Sequence, residues 1–258
     1  MPTLEERFGI QVERTIDHRG WSSGPQSRGQ ITLKFHPLKI GQGLRYKAPE
    51  PRKYPESYEV KSVDVSIVVP GSVHEKLQAS LTKDLETLFP GIEIHFKLTE
   101  DTNLDSRWYI LLVAHSISGI RWGHDWLGSL PKKTKNRDRF TEQVSKQVCQ
   151  GMFEEIEVGG QVDVHLQDQV MVFQALCEGY SSFVRGDGLE EPSPGVLIDA
   201  MGNLDIGDGR MRKEKTHEPF GYGSLHSQTA RWVASEMLPS VEFYNKGDLV
   251  KGAGISMK

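Results

Sequence analysis

The sequence predicts an α/β fold, and three observations carry that expectation. Val63, Val65, Ile67 and Val69 alternate with polar residues, the period-two pattern of a strand with one buried face. Leu77, Leu81, Leu85 and Leu88 come next on a single helical face. Two more strand patterns succeed them, Ile92, Ile94 and Phe96, then Trp108 to Ala114, the latter reading as buried. The result is a β-α-β-β unit, followed by three further helical stretches. Composition agrees. The 258 residues are 37% hydrophobic and 26% charged, as in an ordinary soluble globular protein, which excludes a disordered tail, a collagen and a coiled coil. No run approaches the roughly 20 apolar residues of a membrane helix. The formal net charge of −4 confines any nucleic-acid surface to a local basic patch. Two cysteines, Cys149 and Cys177, are too few for a disulfide framework or a zinc cluster and imply a reducing, intracellular compartment.

The elements come in this order. Leu4, Phe8, Ile10 and Val12 reach apolar density immediately, with no leader pattern, so the chain is expected to begin inside a domain. A Gly-rich turn over residues 19–29 precedes a strand through Ile31, Leu33 and Phe35. Residues 41–58 read as a loop. The strand from Val60 ends at Pro70, and Ser72 with Glu75 matches a capping box at the start of the first long helix. Pro90-Gly91 stops that helix. Lys132, Lys133, Lys135, Arg137 and Arg139 form a basic run expected in a loop, either a solvated surface or a phosphate contact or nuclear-import signal. Phe140, Val144, Val148, Met152 and Ile156 define a second helix, closed by Gly159-Gly160. A third spans about Val162 to Glu178. Residues 184–223, rich in Gly, Pro and mixed charge, read as a long loop. A fourth helix runs from Leu225 to Leu238. Strands at Val241–Tyr244 and Leu249–Ser256 close the chain around a hairpin turn at 245–248.

Two positions carry chemistry. The third helix is apolar nearly all round and is expected to be buried, with Asp168 in the middle of one apolar side. A carboxylate there must be paired, hydrogen-bonded or protonated. A structural Asp paired to an Arg or an amide is the plain alternative, and Gln169 is either a second polar contact or a surface residue. In the fourth helix His226 lies one turn before Ala230, extending the face of Ala230, Val233, Ala234 and Met237. At a helix start the dipole keeps an imidazole neutral and nucleophilic, and the free amides make an anion site. Such a histidine could attack phosphorus and form a phosphoramidate; an ordinary half-buried histidine is the alternative. His165, one turn before Asp168, is placed to line the same pocket. Arg121-Trp-Gly-His124-Asp125-Trp126 is expected as a tight aromatic turn rather than a metal site, since His124 and Asp125 lack a third partner at ligand spacing. Walker, HExxH, CxxC and GxSxG motifs are absent, and no metal ligands are assigned.

Val162-Asp-Val-His-Leu-Gln-Asp168-Gln-Val and Ser224-Leu-His226-Ser-Gln-Thr-Ala resemble the two C-terminal motifs of RNA 3'-terminal phosphate cyclases, Asp-Glu-Tyr-Leu-Gln-Asp-Gln-Leu and Leu-His-Thr-Gln-Thr-Ala. Phe8-Gly-Ile and Arg19-Gly-Trp resemble an earlier family segment, where Arg-Gly-Tyr precedes Pro-Lys-Gly-Gly-Gly. The resemblance runs in order along nearly all of the chain. It implies cyclase-type β-α repeats: residues 1–59 as the end of an N-terminal repeat, 60–157 as a small inserted β-α-β-β domain, and 158–258 as the last repeat, carrying the long loop.

It also implies an ATP-dependent enzyme of the ligase class. His226 would become adenylylated, AMP would pass to an RNA 3'-phosphate, and the 2'-hydroxyl would close a 2',3'-cyclic phosphate. His165, Asp168, Gln169 and His226 would bind the nucleotide, with a divalent cation (Mg or Mn) offsetting phosphate charge. RNA 3' ends would be the partners and the nucleus the favoured location. Several residues depart from the family pattern. His165 stands where the family has a stacking Tyr, Gln26-Ser-Arg-Gly replaces Gly-Gly-Gly, and the loop at 184–223 is longer. The family's Glu-Gly-Gly-Gly-Gln…Arg region is absent, as expected of a truncated chain or of a remnant with reduced or lost activity. The second expectation is therefore a non-catalytic, cyclase-like RNA-binding or ribosome-assembly factor. The presence of His226 argues against it, because pseudo-enzymes of this family lose that histidine.

Overall fold

The computed structural model describes residues 2–20, 28–48, 58–131, 136–185 and 221–256. They form helices and mixed sheets in two compact units. The first takes the described residues of 1–49, 168–182 and 206–258, and the second those of 50–167 and 183–205. The Gly-rich turn at 21–27, Lys132, Lys133 and Lys135 of the basic run, and 186–220 of the long loop lie outside the described residues.

The second unit is built on the predicted β-α-β-β run. Strand β3 (Val60–Val69) leads through α2 (His74–Leu88) to β4 (Glu93–Asp101), then β5 (Trp108–Ser116) and β6 (Arg121–Gly128). The sheet order is β4-β3-β5-β6. Only β3 and β4 run parallel, because α2 carries the chain back between them; the other pairs are antiparallel. Helix α3 (Arg137–Glu157) joins α2 on one face of the sheet. Val63, Val65 and Ile67 meet Leu77, Leu81 and Leu85 of α2 and Val144, Val148 and Met152 of α3 in a single core.

Three expectations about this unit are corrected. Ser72 makes no capping box: a 3-10 turn at Gly71–Val73 comes first, and α2 begins at His74 without a side-chain cap. The Asp101 carboxylate instead accepts the backbone N–H groups of Asn103 and Gly71, which hold it below the usual carboxylate range. Arg121–Trp126 is not a turn but most of an edge strand, paired with β5 along its length. Adjacent strand residues point to opposite faces, so His124 packs against Gly151 of α3 while Asp125 faces the other way; they cannot share a metal. The basic run is helical from Arg137, where Asn136 accepts the Arg139 N–H and Arg137 pairs with Asp105.

The first unit opens with α1 (Pro2–Phe8) and a ribbon of β1 (Gln11–His18) and β2 (Gln30–His36). Phe8 packs on Tyr46 and Phe173 at ring separations of 5.8 and 5.7 Å. A small antiparallel sheet, β7 (Tyr180–Ser182), β9 (Leu249–Lys251) and β8 (Glu242–Tyr244), has β9 at its centre. The hairpin turn is as expected, with Asn245, Lys246 and Gly247 all at positive φ. Beside this sheet lies α5 (Leu225–Met237). Met171, Ala175, Val241, Phe243 and Val250 form the core, with Ala230, Trp232, Ala234 and Leu238 against it.

Helix α4 (Val164–Leu176) contains the division, which falls after Gln167. It starts two residues later than periodicity suggests, because Asp163 Oδ1 accepts the His165 and Leu166 N–H groups at 3.0 and 2.8 Å. A short acid here competes for amides and sets a helix start.

Candidate functional site

The fourth predicted helix begins with a true cap. Ser224 has extended backbone, and its hydroxyl accepts the Ser227 N–H at 3.2 Å, satisfying one amide that the first turn leaves free. His226 is the second helical residue and keeps its imidazole 86% exposed. Opposite it stands Asp168, with its side chain 28% exposed. His226 Nδ1 lies 3.9 Å from Asp168 Oδ2. That is ion-pair range, longer than a hydrogen bond, and a small rotation about the histidine side chain would close it. The second oxygen, Oδ1, is buried and accepts no hydrogen bond among the described residues. The acid therefore offers one oxygen toward the histidine and keeps an unfilled acceptor, an arrangement that is costly unless something donates to it.

Both helices differ from the expected pattern in which face they bury. On α4 the buried positions are Gln167, Val170, Met171, Gln174 and Ala175, while His165, Gln169 and Val172 lie on its more open side. The helix is not apolar all round, and Asp168 sits at the border of the buried face rather than in its middle. His165 belongs to the second unit and Gln169 to the first. On α5 the expected face is divided: Val233 and Met237 are exposed, while Ala230 and Ala234 pack against the core. The buried stripe is Ser227, Arg231 and Ser235. Sequence reasoning missed Arg231, although the polar i, i+4, i+8 spacing from Ser227 is visible in the chain. Its side chain is among the largest that are fully buried. Burial pulls its pKa down to about 10, against the opposing charge of Asp248.

The four predicted residues are thus not equivalent. The structure brings His226 and Asp168 together and leaves His165 and Gln169 as neighbours of Asp168 along α4. Among the described residues no group of three His, Cys, Asp or Glu side chains could hold a metal ion. Nor, among these residues, is any helix long and apolar enough to cross a membrane.

Fold and site together define an α/β protein with an exposed histidine on the first turn of a helix, facing a partly buried carboxylate of another. The particular family comes from comparison with known proteins. Residues 1–194 match the family model of RNA 3'-terminal phosphate cyclase, and the chain belongs to that family. Relatives agree. An RNA 3'-terminal phosphate cyclase of Pyrobaculum aerophilum is 24% identical over 176 residues, 68% of this chain and 46% of the relative. One of Methanopyrus kandleri is 26% identical over 182 residues, 69% of this chain and 48% of the relative. A probable RNA 3'-terminal phosphate cyclase of Dictyostelium discoideum is 23% identical over 181 residues, 69% of this chain and 39% of the relative. The chain spans about half the length, or less, of these relatives. The family match includes Asp168 and ends before His226, so the histidine rests on its own motif and on its place beside the acid.

Proposed function

We propose that the chain is an RNA 3'-terminal phosphate cyclase acting through a covalent histidine–AMP intermediate. The observation that carries this reading is the His226–Asp168 pair, 3.9 Å apart, at the amino end of a helix in a chain of this family. With Nδ1 turned toward Asp168, the proton belongs on Nδ1 and the lone pair on the exposed Nε2. Nε2 attacks the α-phosphorus of ATP. The N–P bond forms as the bond to the β-phosphate oxygen breaks, and pyrophosphate leaves. Asp168 offsets the positive charge the imidazole acquires. A terminal oxygen of the RNA 3'-phosphate then displaces the imidazole, restoring the lone pair. Finally the vicinal 2'-hydroxyl attacks the RNA phosphorus, loses its proton and expels AMP, leaving the 2',3'-cyclic phosphate. The free amides of the α5 first turn suit the charge on the α-phosphate. The unfilled Asp168 Oδ1 suits a donor on the bound nucleotide, with Gln169 as a further nucleotide contact. A nuclear location goes with this reading as part of RNA-end processing.

The test is incubation with α-labelled ATP. Acid-labile label should appear on the wild-type chain and vanish in His226→Ala. A wild-type chain that takes up no label supports the non-catalytic RNA-binding reading.

A further inference from the structure

We infer that Arg231 is a positioning residue for His226, fixing the backbone that enters α5 through a clamp closed by Tyr222 and Lys246. The inference rests on the activity reading only for its catalytic consequence. Arg231 lies one turn beyond Ser227 on the buried stripe of α5, and its guanidinium Nη1 donates to the Tyr222 carbonyl at 2.6 Å. Tyr222 in turn donates its N–H to the Lys246 carbonyl at 2.9 Å. The Lys246 ammonium sits 4.2 Å from the centre of the Tyr222 ring and bonds the phenol oxygen. Gln228 Nε2 holds the next carbonyl, Gly223 O, at 3.1 Å. The residues before the Ser224 cap are thus fastened from inside by Arg231 and from outside by Lys246.

The glycines show how closely the clamp is fitted. Gly221 (φ 89°) and Gly247 (φ 104°) both press on the Arg231 side chain. A Cβ at Gly221 would come within 2.7 Å of Nη1, and one at Gly247 would overlap the guanidinium. Both also hold a left-handed backbone that a side chain disfavours. A buried arginine is a poor way to fill a core when an aliphatic residue would serve. A planar fork that bonds a specified carbonyl fixes backbone position instead. Two residues beyond Tyr222 stands the Ser224 cap, and two beyond that His226. The 3.9 Å approach of His226 to Asp168 therefore depends on where the clamp sets the first turn.

Tyr222→Phe opens the outer latch near the surface and should leave folding intact; Arg231→Lys keeps the charge and loses the fork. Two readouts apply. In the first, the His226 Cε1–H resonance is followed by NMR with and without Asp168→Asn. That substitution should move the resonance in wild type and have a much smaller effect in the Tyr222→Phe background. A resonance that ignores Asp168→Asn in wild type, or moves equally in both backgrounds, overturns the clamp. In the second, single-turnover labelling by ATP should slow on the order of tenfold in Tyr222→Phe and more in Arg231→Lys, with ATP KM unchanged, as expected when a reacting group is displaced by a fraction of an ångström. Unchanged labelling rates also overturn it. Absence of label in wild type, with the NMR result intact, removes the activity and leaves the clamp standing.

Discussion

The imidazole of His226 and the carboxylate of Asp168 differ in a way that suits different tasks. One is on display to solvent, and the other is partly covered, with an oxygen that no described neighbour fills. Exposure suits a group that must reach phosphorus, whereas partial burial strengthens a charge whose work is to hold a tautomer. Asp168→Asn keeps the shape and removes the charge. Labelling of the chain by α-labelled ATP should fall on the order of 10²-fold, while circular dichroism and thermal midpoint stay close to wild type, because the exposed histidine it faces is no part of the core. A loss of folding in Asp168→Asn, or full labelling, contradicts the assigned role. His165 and Gln169 should matter less: they lie on the open side of α4 and owe their assignment to a motif rather than to a contact.

Among the elements, legibility followed chemistry. The strand β3, helix α2 and strands β4 and β5 were readable because alternation and leucine spacing coincide with what is buried: Val63, Val65 and Ile67 face Leu77, Leu81 and Leu85. Edge strand β6 was not, since Arg121, Gly123, His124 and Asp125 interrupt the apolar period, and its pairing with β5 is a tertiary fact. Helix α5 was legible in extent but only partly in orientation. Its buried stripe of Ser227, Arg231 and Ser235 is polar, so apolar periodicity found Ala230 and Ala234, which pack on the core, and missed the stripe beside them. In ribbon β1–β2 the strand itself was legible and its exposure was not. Ile31, Leu33 and Phe35 alternate as a buried face would, yet they are 56, 40 and 59% exposed. The site was half legible. Motif spacing found His226 and Asp168, but the clamp behind the histidine depends on glycine backbone and a buried cation that no period announces. One element-level expectation tests the observed start of α3. Asn136→Ala removes the acceptor for the Arg139 N–H and should cost about 1 kcal/mol, read as a lower urea midpoint at unchanged m-value; an unchanged midpoint would show that the cap contributes nothing.

At the scale of the molecule, the two units share a dependence on buried groups that must stay neutral. Burial pushes the thiols of Cys149 in the second unit and Cys177 in the first up to about 12, from an ordinary value of 9. It likewise pushes the Tyr46 phenol from 10 to about 12. Each of these pKa values is raised by folding, so each group contributes stability that is complete below its unfolded pKa and is lost as pH climbs toward the folded one. Arg231 works the other way. Its pKa is lowered to about 10 from 12.5, so loss of its buried charge adds stability as pH rises above about 10. Three groups against one, with the thiols first to act, give a net decline that begins near the ordinary thiol pKa of 9. The urea midpoint should therefore hold between roughly pH 7 and 8.5 and fall by about pH 10.5. Cys149→Ala and Cys177→Ala will lower the midpoint at neutral pH, since each leaves a gap in a packed core, but each should flatten the alkaline slope by removing one titrating group. An alkaline slope equal to wild type in both variants would mean that the thiols do not titrate with unfolding, and that alkaline loss in this protein comes from other groups, the Tyr46 phenol among them.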